Sequence, residues 1–364
     1  TTGTLYLVGK NIHSVRLGFF SSFLYGASFL ASLNDRRWWT LSVAPLLTAL
    51  TIFSLNKLSD KKYWYFTLLA ICVMAAWQID PNFGILPIMA IVTFIAFHIP
   101  IIKRQYILGV IICLMSLSPL IFFEFRHPGT ITTPFIKLLT KSNQRHLDVF
   151  PITWQLADFL ARIPTTYAYY FAVEPNVAFD GVFNWVKEPQ IVATPIPQVI
   201  ILSLALFSLI WVWKYRKSKS RTKNGIVMIW LCFGVFLASL FISRVMFGLI
   251  WRTYYFHVSL PLICLILAFG METMYQSRKF ITYGILGVFL LINIRTLVYS
   301  NFRYPLKDKW KLVKELKNKI PDEPFRLKTI AEEDFVHHGF SGLFVLARLS
   351  THKSDEYDAL DWWM

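Results

Sequence analysis

Residues 106–123 read YILGVIICLMSLSPLIFF, eighteen consecutive positions without a charged side chain. A helix needs about 20 such residues to cross about 30 Å of hydrocarbon, and backbone groups within lipid must be hydrogen-bonded inside the segment. Lys103 and Arg104 precede the stretch, and Glu124 follows it directly. The stretch therefore predicts a membrane-spanning helix with polar residues at both ends.

The same alternation of apolar stretches and basic loops continues along most of the chain. It predicts an all-α polytopic membrane protein with about nine transmembrane helices. The composition agrees, because 55% hydrophobic and 17% aromatic residues exceed what a soluble domain of this length carries. The predicted spans are Val15–Leu33, Leu41–Leu55, Tyr63–Ile79, Phe83–Ile101, Tyr106–Phe123, Pro197–Trp213, Ile226–Ser243, Val258–Tyr275 and Ile281–Tyr299.

The distribution of charge predicts an orientation. Every second loop is basic, and together these loops carry fifteen Lys and Arg residues with Asp60 as their one acid. The positive-inside rule assigns such loops to the cytoplasm. We therefore expect a multi-pass protein of the cell membrane whose C-terminus is extracytoplasmic. The net charge of +16 is mostly this topology signal and not the footprint of a nucleic-acid-binding protein.

The spans and loops divide the chain into four predicted regions. An N-terminal transmembrane bundle covers 1–123, a large extracytoplasmic loop 124–196, a C-terminal transmembrane bundle 197–300 and a small extracytoplasmic tail domain 301–364. Apolar residues at helical spacing between Val149 and Ile163 predict an amphipathic helix in the loop. This helix lies on the membrane surface or packs on the bundle. The tail pattern predicts a small α/β appendage.

The first residues predict that the chain is part of a longer protein. Residue 1 is Thr, and Leu5–Val8 is similar to the last turn of a membrane span. We therefore expect one or more N-terminal spans to be missing.

Arginines stand near the membrane surface that is predicted to face outward, where the positive-inside rule disfavours them. Arg36 and Arg37 lie in NDRRWW, and Arg252 with Tyr255 lies in RTYYFH. The planar fork of arginine donors suits phosphate, so these residues are candidate ligands of a lipid-linked phosphate. The alternative is that they reach anionic lipid head groups without any further role.

Four more polar residues are candidates at the same surface. Asp80 in WQIDPNFG is a candidate site residue, although Pro81 after it equally fits a helix N-cap. Glu124, Arg126 and His127 cluster in FFEFRHPG. His127 has no His or Cys at metal-ligand spacing, and motifs of ATPases, serine hydrolases and zinc proteases do not occur. We expect no cofactor and no metal.

Several segments resemble one family of membrane enzymes. They are the stretch from Leu5 to Ile71, which begins LYLVGKNIHSVRLGFF, and the segments WQIDPNFGILPI, LSPLIFFEFRHPG and YYFHVSLPLICLILAFGM. Their rhythm of spans and turns resembles the GT-C polytopic glycosyltransferases. The group in question contains the protein O-mannosyltransferases and lipid A aminoarabinose transferases, in glycosyltransferase family 39 and its relatives. The likeness covers most of residues 1–300.

The resemblance implies a transferase that moves a mannosyl or other hexosyl unit from a polyprenyl-phosphate donor. The acceptor is a lipid, a glycan or a protein on the outer face, with the bilayer as a partner and no nucleic acid. In the family an aspartate between the first two spans is the general base, and basic residues bind the leaving phosphate. That aspartate would lie upstream of Thr1, so the catalytic residue is unknown and the chain is expected to be catalytically incomplete.

Two other classes of function stay open. A transporter of lipid-linked oligosaccharides or small solutes is the main alternative, although the sequence has no inverted repeat of the kind transporters carry. A polysaccharide polymerase or ligase also handles lipid-linked phosphates on the outer face. The large loop does not distinguish this class from a transferase.

Overall fold

The computed structural model describes most of the first 300 residues. It describes residues 1–35, 40–79, 84–100, 103–130, 132–133, 136, 152–171, 195–214, 221–247 and 253–299, with 310–311, 314–315 and 317 of the tail. The chain forms two compact units, one of Thr1–Glu174 with Gln190–Tyr299, the other of Pro175–Pro189 with Ser300–Met364. The second unit includes helical residues around Trp310, whose ring centroid is 5.7 Å from the Lys314 ammonium. The predicted strand of the appendage lies outside the described residues.

The described part of the first unit consists of helices and contains no strand. Proline lies in the first turn of several helices, for example at Pro45 and Pro261, where the missing N–H removes no internal hydrogen bond. The helices are α1 (Thr2–Ile12), α2 (Val15–Ala27), α3 (Phe29–Asp35), α4 (Ala44–Ser59), α5 (Tyr65–Ile79), α6 (Ile85–Ala96), α7 (Ile107–Arg126), α8 (Ile152–Phe171), α9 (Pro195–Lys214), α10 (Arg221–Phe247), α11 (Leu260–Ser277) and α12 (Lys279–Tyr299), with 3₁₀ turns at Thr40–Val43, Arg104–Tyr106 and Thr253–His257.

Five helices in the described part of the chain are long and apolar enough to cross a membrane. They coincide with five of the predicted spans, so the prediction of an all-α membrane protein is confirmed to this extent. The helical segments are Arg104–Arg126, Pro197–Lys214, Asn224–Ser243, Leu260–Ser277 and Lys279–Val298.

The other four predicted spans form shorter helices. The stretch predicted as one span over Val15–Leu33 is divided between α2 and α3 at Ser28. The helices α4, α5 and α6 have 16, 15 and 12 residues, fewer than the about 20 that cross the hydrocarbon without thinning of the bilayer. The number of nine spans therefore stays a prediction.

Helix α11 is the centre of the bundle. Every residue from Leu260 to Glu272 is buried, and the helix packs against α2, α9, α10 and α12. By contrast, α7 packs mainly against α5 and exposes apolar side chains such as Leu114 and Phe122. Exposed apolar side chains on a long helix are typical of a surface that faces lipid. Polar side chains of other elements lie near both ends of α11. We call the end at Leu260 the Asp35 end, because His257 just before it lies by Asp35. We call the end at Ser277 the Arg16 end, because Arg16 lies over the Tyr275 ring.

A buried carboxylate joins α11 to the hairpin of α1 and α2 at the Arg16 end. Ser14 caps α2 by accepting a hydrogen bond from the Leu17 backbone N at 3.0 Å. Its hydroxyl donates to Glu272 Oε1 at 2.5 Å, and His13 Nε2 lies 3.6 Å from the same oxygen. One side chain of α11 therefore fixes the turn between α1 and α2.

The predicted amphipathic helix of the large loop is present as α8. Its buried face includes Phe159, Tyr167 and Tyr170, whereas Leu156 and Leu160 are exposed. The helix packs into the bundle through contacts with α3, α9, α10 and the turn before α11. The helix therefore docks on the bundle, and its exposed leucines leave an apolar face of the kind that lies in a membrane interface.

Candidate active site

A carboxylate, an imidazole and a phenol meet where α2, α3 and the turn before α11 come together. The Tyr25 hydroxyl donates to Asp35 Oδ1 at 2.9 Å, and His257 Nε2 lies 3.7 Å from the same oxygen. That separation is longer than a hydrogen bond, and it forms an ion pair when His257 is protonated. The His257 side chain is 3% exposed and that of Asp35 is 31% exposed. The histidine is therefore enclosed, while the carboxylate remains accessible to a ligand.

Helix α8 supplies an aromatic wall to this site. The Tyr170 ring stacks on the His257 ring, with centroids 5.9 Å apart and planes 18° from parallel. One turn earlier, the hydroxyls of Tyr167 and Ser259 are hydrogen-bonded at 2.5 Å. Burial raises the pKa of the Tyr167 phenol far above its ordinary value, because the phenolate would lose its hydration. Tyr167 therefore stays protonated, and its bond fixes α8 to the start of α11. We call Tyr25, Asp35, Tyr170 and His257 the Asp35 cluster.

A buried hydrogen-bond network holds α8 in this position. The last carbonyls of a helix have no partner within it, and here Ser28 and Asn293 supply donors to them. Ser28 Oγ donates to the Tyr170 carbonyl at 2.6 Å, and Asn293 Nδ2 donates to the Phe171 carbonyl at 2.9 Å. Asn293 Oδ1 also accepts from the Phe29 backbone N at 2.8 Å. The break between α2 and α3 is thereby tied to both α8 and α12.

Of the residues predicted for the site, Tyr255 lies beside the Asp35 cluster in the chain. It is half-buried in the turn Thr253–His257, two positions before His257. Four other candidates fall outside the described residues, so their roles in the site stay predictions. They are Arg36, Arg37, Asp80 and Arg252.

Glu124, Arg126 and His127 belong to the end of α7. Glu124 Oε1 accepts a hydrogen bond from the Gly129 backbone N at 2.8 Å, which closes the turn after the helix. The His127 ring lies 4.9 Å from that of Phe123, and Arg126 is exposed. Because α7 packs mainly on α5, these three residues belong to a different part of the bundle from the elements that form the Asp35 cluster.

Sequence reasoning missed Asp35 as a candidate. It is the one acid of the predicted outward loop 34–40, and it stands directly before Arg36. The available signal for Asp35 was its position next to two arginines that the positive-inside rule disfavours in an outward loop. His257 lies within the RTYYFH segment that was singled out for Arg252. Tyr25 has no such signal, because it lies inside a predicted span.

The Asp35 cluster has the groups needed for proton transfer. An accessible carboxylate can take a proton from a hydroxyl within hydrogen-bond reach, and a protonated imidazole stabilises negative charge that develops beside it. Within the described ranges, no three His, Cys, Asp or Glu side chains come together in a way that could hold a metal ion. The chain matches no protein-family model and no curated protein. The functional argument therefore rests on residues and geometry.

Proposed function

We propose that the protein is a membrane glycosyltransferase that moves a sugar from a polyprenyl-phosphate donor to an acceptor hydroxyl on the outer face of the cell membrane. The observation that carries the proposal is the contact between Asp35 and His257. It joins the two segments in which the outward arginines were predicted, since Arg36 follows Asp35 directly and Arg252 precedes His257 by five residues. A proton acceptor and cations in these segments are the two requirements of such a transfer.

In the proposed reaction, Asp35 is the general base, in place of the family aspartate that was expected upstream of Thr1. It takes the proton of the acceptor hydroxyl as the acceptor oxygen bonds to the anomeric carbon of the donor sugar. The bond from that carbon to the phosphate oxygen breaks, and its electron pair leaves with the polyprenyl phosphate. Tyr25 and His257 both contact Oδ1 of Asp35, so we assign Oδ2 to the acceptor. The leaving phosphate is assigned to Arg36, Arg37 and Arg252, and the sugar ring to Tyr255.

The proposal requires that the Asp35 end faces outward and the Arg16 end faces the cytoplasm, as the basic loops predict. Two exposed positions test this, Thr130 after α7 and Ser277 at the end of α11. In intact cells, we expect a membrane-impermeant thiol reagent to label Thr130→Cys and to label Ser277→Cys only after permeabilisation. The reverse pattern would reject the orientation and with it the outward site.

The activity is tested with membranes that contain the full-length protein and a polyprenyl phosphate carrying a radiolabelled hexose. We expect release of polyprenyl phosphate that depends on an added acceptor fraction. Movement of the lipid-linked sugar between leaflets without release would instead favour the transporter. Release only from a pyrophosphate-linked oligosaccharide would favour the polymerase or ligase.

A further inference from the structure

The Arg16 end of the bundle carries two cations on one aromatic ring. The Arg16 guanidinium carbon lies 5.1 Å from the centroid of the Tyr275 ring, and the Lys279 ammonium lies 5.8 Å from it. The hydroxyls of Tyr275 and Tyr283 are 3.3 Å apart. We call Arg16, Tyr275, Lys279 and Tyr283 the Tyr275 clamp. It brings together three elements, namely the first turn of α2, the last turn of α11 and the first two turns of α12.

The clamp brings two positive charges together on one ring. Among the described residues, no carboxylate lies within ion-pair distance of Arg16 or Lys279, and both side chains are exposed. The aromatic ring attracts each cation but leaves their mutual repulsion in place. Lys279 also begins α12, whose N-terminal dipole adds further positive potential. An anion between the two cations would relieve the repulsion, and a phosphate suits both the arginine fork and the lysine point charge.

The surroundings of the clamp are apolar and exposed. Phe280, which follows Lys279 in α12, is 91% exposed, and Phe19, three residues after Arg16 in α2, is 52% exposed. Phe20 of α2 lies 6.1 Å from Tyr275 of α11 between ring centroids, and Phe23 of α2 lies 6.1 Å from Phe289 of α12. An aromatic seam, in which Phe20 and Phe289 are buried, thus runs from the clamp along α2 towards α12. A ligand that fits both features is an anion with long apolar chains.

We propose that the Tyr275 clamp binds the phosphodiester of an anionic phospholipid whose acyl chains lie along the seam between α2 and α12. The positive-inside rule accounts for cations at this end of the bundle, but it does not account for their convergence on one ring. Basic pockets between transmembrane helices bind lipid head groups by this chemistry. The site lies at the opposite end of α11 from the Asp35 cluster, and the proposal does not depend on the transferase activity.

The test compares lipid binding by the purified full-length protein in mild detergent, measured by native mass spectrometry. Phosphatidylglycerol is the anionic probe, with phosphatidylcholine and inorganic phosphate as references. For Arg16→Gln/Lys279→Gln we expect affinity for phosphatidylglycerol to fall about 25-fold, since each cation near a lipid contributes about fivefold. The matched control is Lys62→Gln/Arg104→Gln, which removes one lysine and one arginine from other exposed positions of basic loops. We expect its affinity to equal that of the wild type.

Three results would overturn the proposal. The first is an equal loss in both double variants, because the basic surface as a whole would then attract the lipid. The second is equal binding of phosphatidylcholine and phosphatidylglycerol by the wild type. The third is displacement of the lipid by millimolar inorganic phosphate, which would show a site for a free anion. The single variant Arg16→Gln gives a second measure, with an expected loss of about fivefold.

Discussion

Asp35→Asn is expected to reduce sugar transfer by about a hundredfold or more, which is the usual contribution of a positioned general base. The amide keeps the size of the carboxylate and can still accept the Tyr25 hydrogen bond at its oxygen. It cannot take the proton of an acceptor hydroxyl. The measurement is the initial rate of polyprenyl-phosphate release in membranes that contain equal amounts of each protein. Binding of the donor should change far less than the rate.

Two variants separate this role from a structural one. Asp158→Asn removes a carboxylate from the Asp158–Arg162 ion pair on α8, in which the Arg162 Nε lies 2.9 Å from Asp158 Oδ1. We expect this variant to transfer sugar at the wild-type rate. Tyr25→Phe removes one hydrogen bond to Asp35, and we expect a loss smaller than that of Asp35→Asn. A fully active Asp35→Asn protein would exclude Asp35 as the base.

Gly270→Ala is expected to destabilise the bundle by at least about 1–3 kcal/mol, the usual cost of overfilling a packed interior. Gly270 lies at the crossing of α11 with α9. A Cβ there would overlap the backbone oxygen of Leu204 and lie 2.9 Å from its carbonyl carbon. Because a helix backbone cannot rotate away as a side chain can, α9 must move. The measurement is the unfolding midpoint in detergent, compared with that of the wild type.

The control for this prediction is Gly287→Ala in α12. A Cβ at Gly287 would meet no atom within 4 Å, and alanine is favoured over glycine in a helix by about 0.5–1 kcal/mol. We expect Gly287→Ala to be as stable as the wild type or slightly more so. An unchanged midpoint for Gly270→Ala would show that α9 and α11 do not cross as closely as described.

The parts of the fold that depend on local properties were predictable from the sequence. The span predicted over Val258–Tyr275 is observed as α11 at Leu260–Ser277, because its length and apolar character are contained within the segment itself. The break at Ser28 was not predictable in this way. It depends on Asn293, which binds the Phe29 amide from 264 residues away. No window of sequence around Ser28 contains that information.

The site was predictable to a smaller extent. Arginines in disfavoured positions directed attention to NDRRWW and RTYYFH, and Asp35 and His257 of these segments are in contact. The identity of the contacting residues was not predicted, because the prediction rested on the arginines and not on the single acid beside them. The aromatic wall needed Tyr170, whose position depends on the docking of α8 and not on its own sequence.

The network of Ser28 and Asn293 also sets an order of events during synthesis. At about 5–20 residues added per second, a ribosome reaches Asn293 on the order of tens of seconds after Phe29. Until then the Phe29 amide lacks its final acceptor, so the gap between α2 and α3 must remain where water can reach it. We infer that a nascent chain can have most of the described helices inserted while the Asp35 cluster is still unformed. The helix that carries Asn293 therefore completes a network around Phe29, which was translated 264 residues earlier.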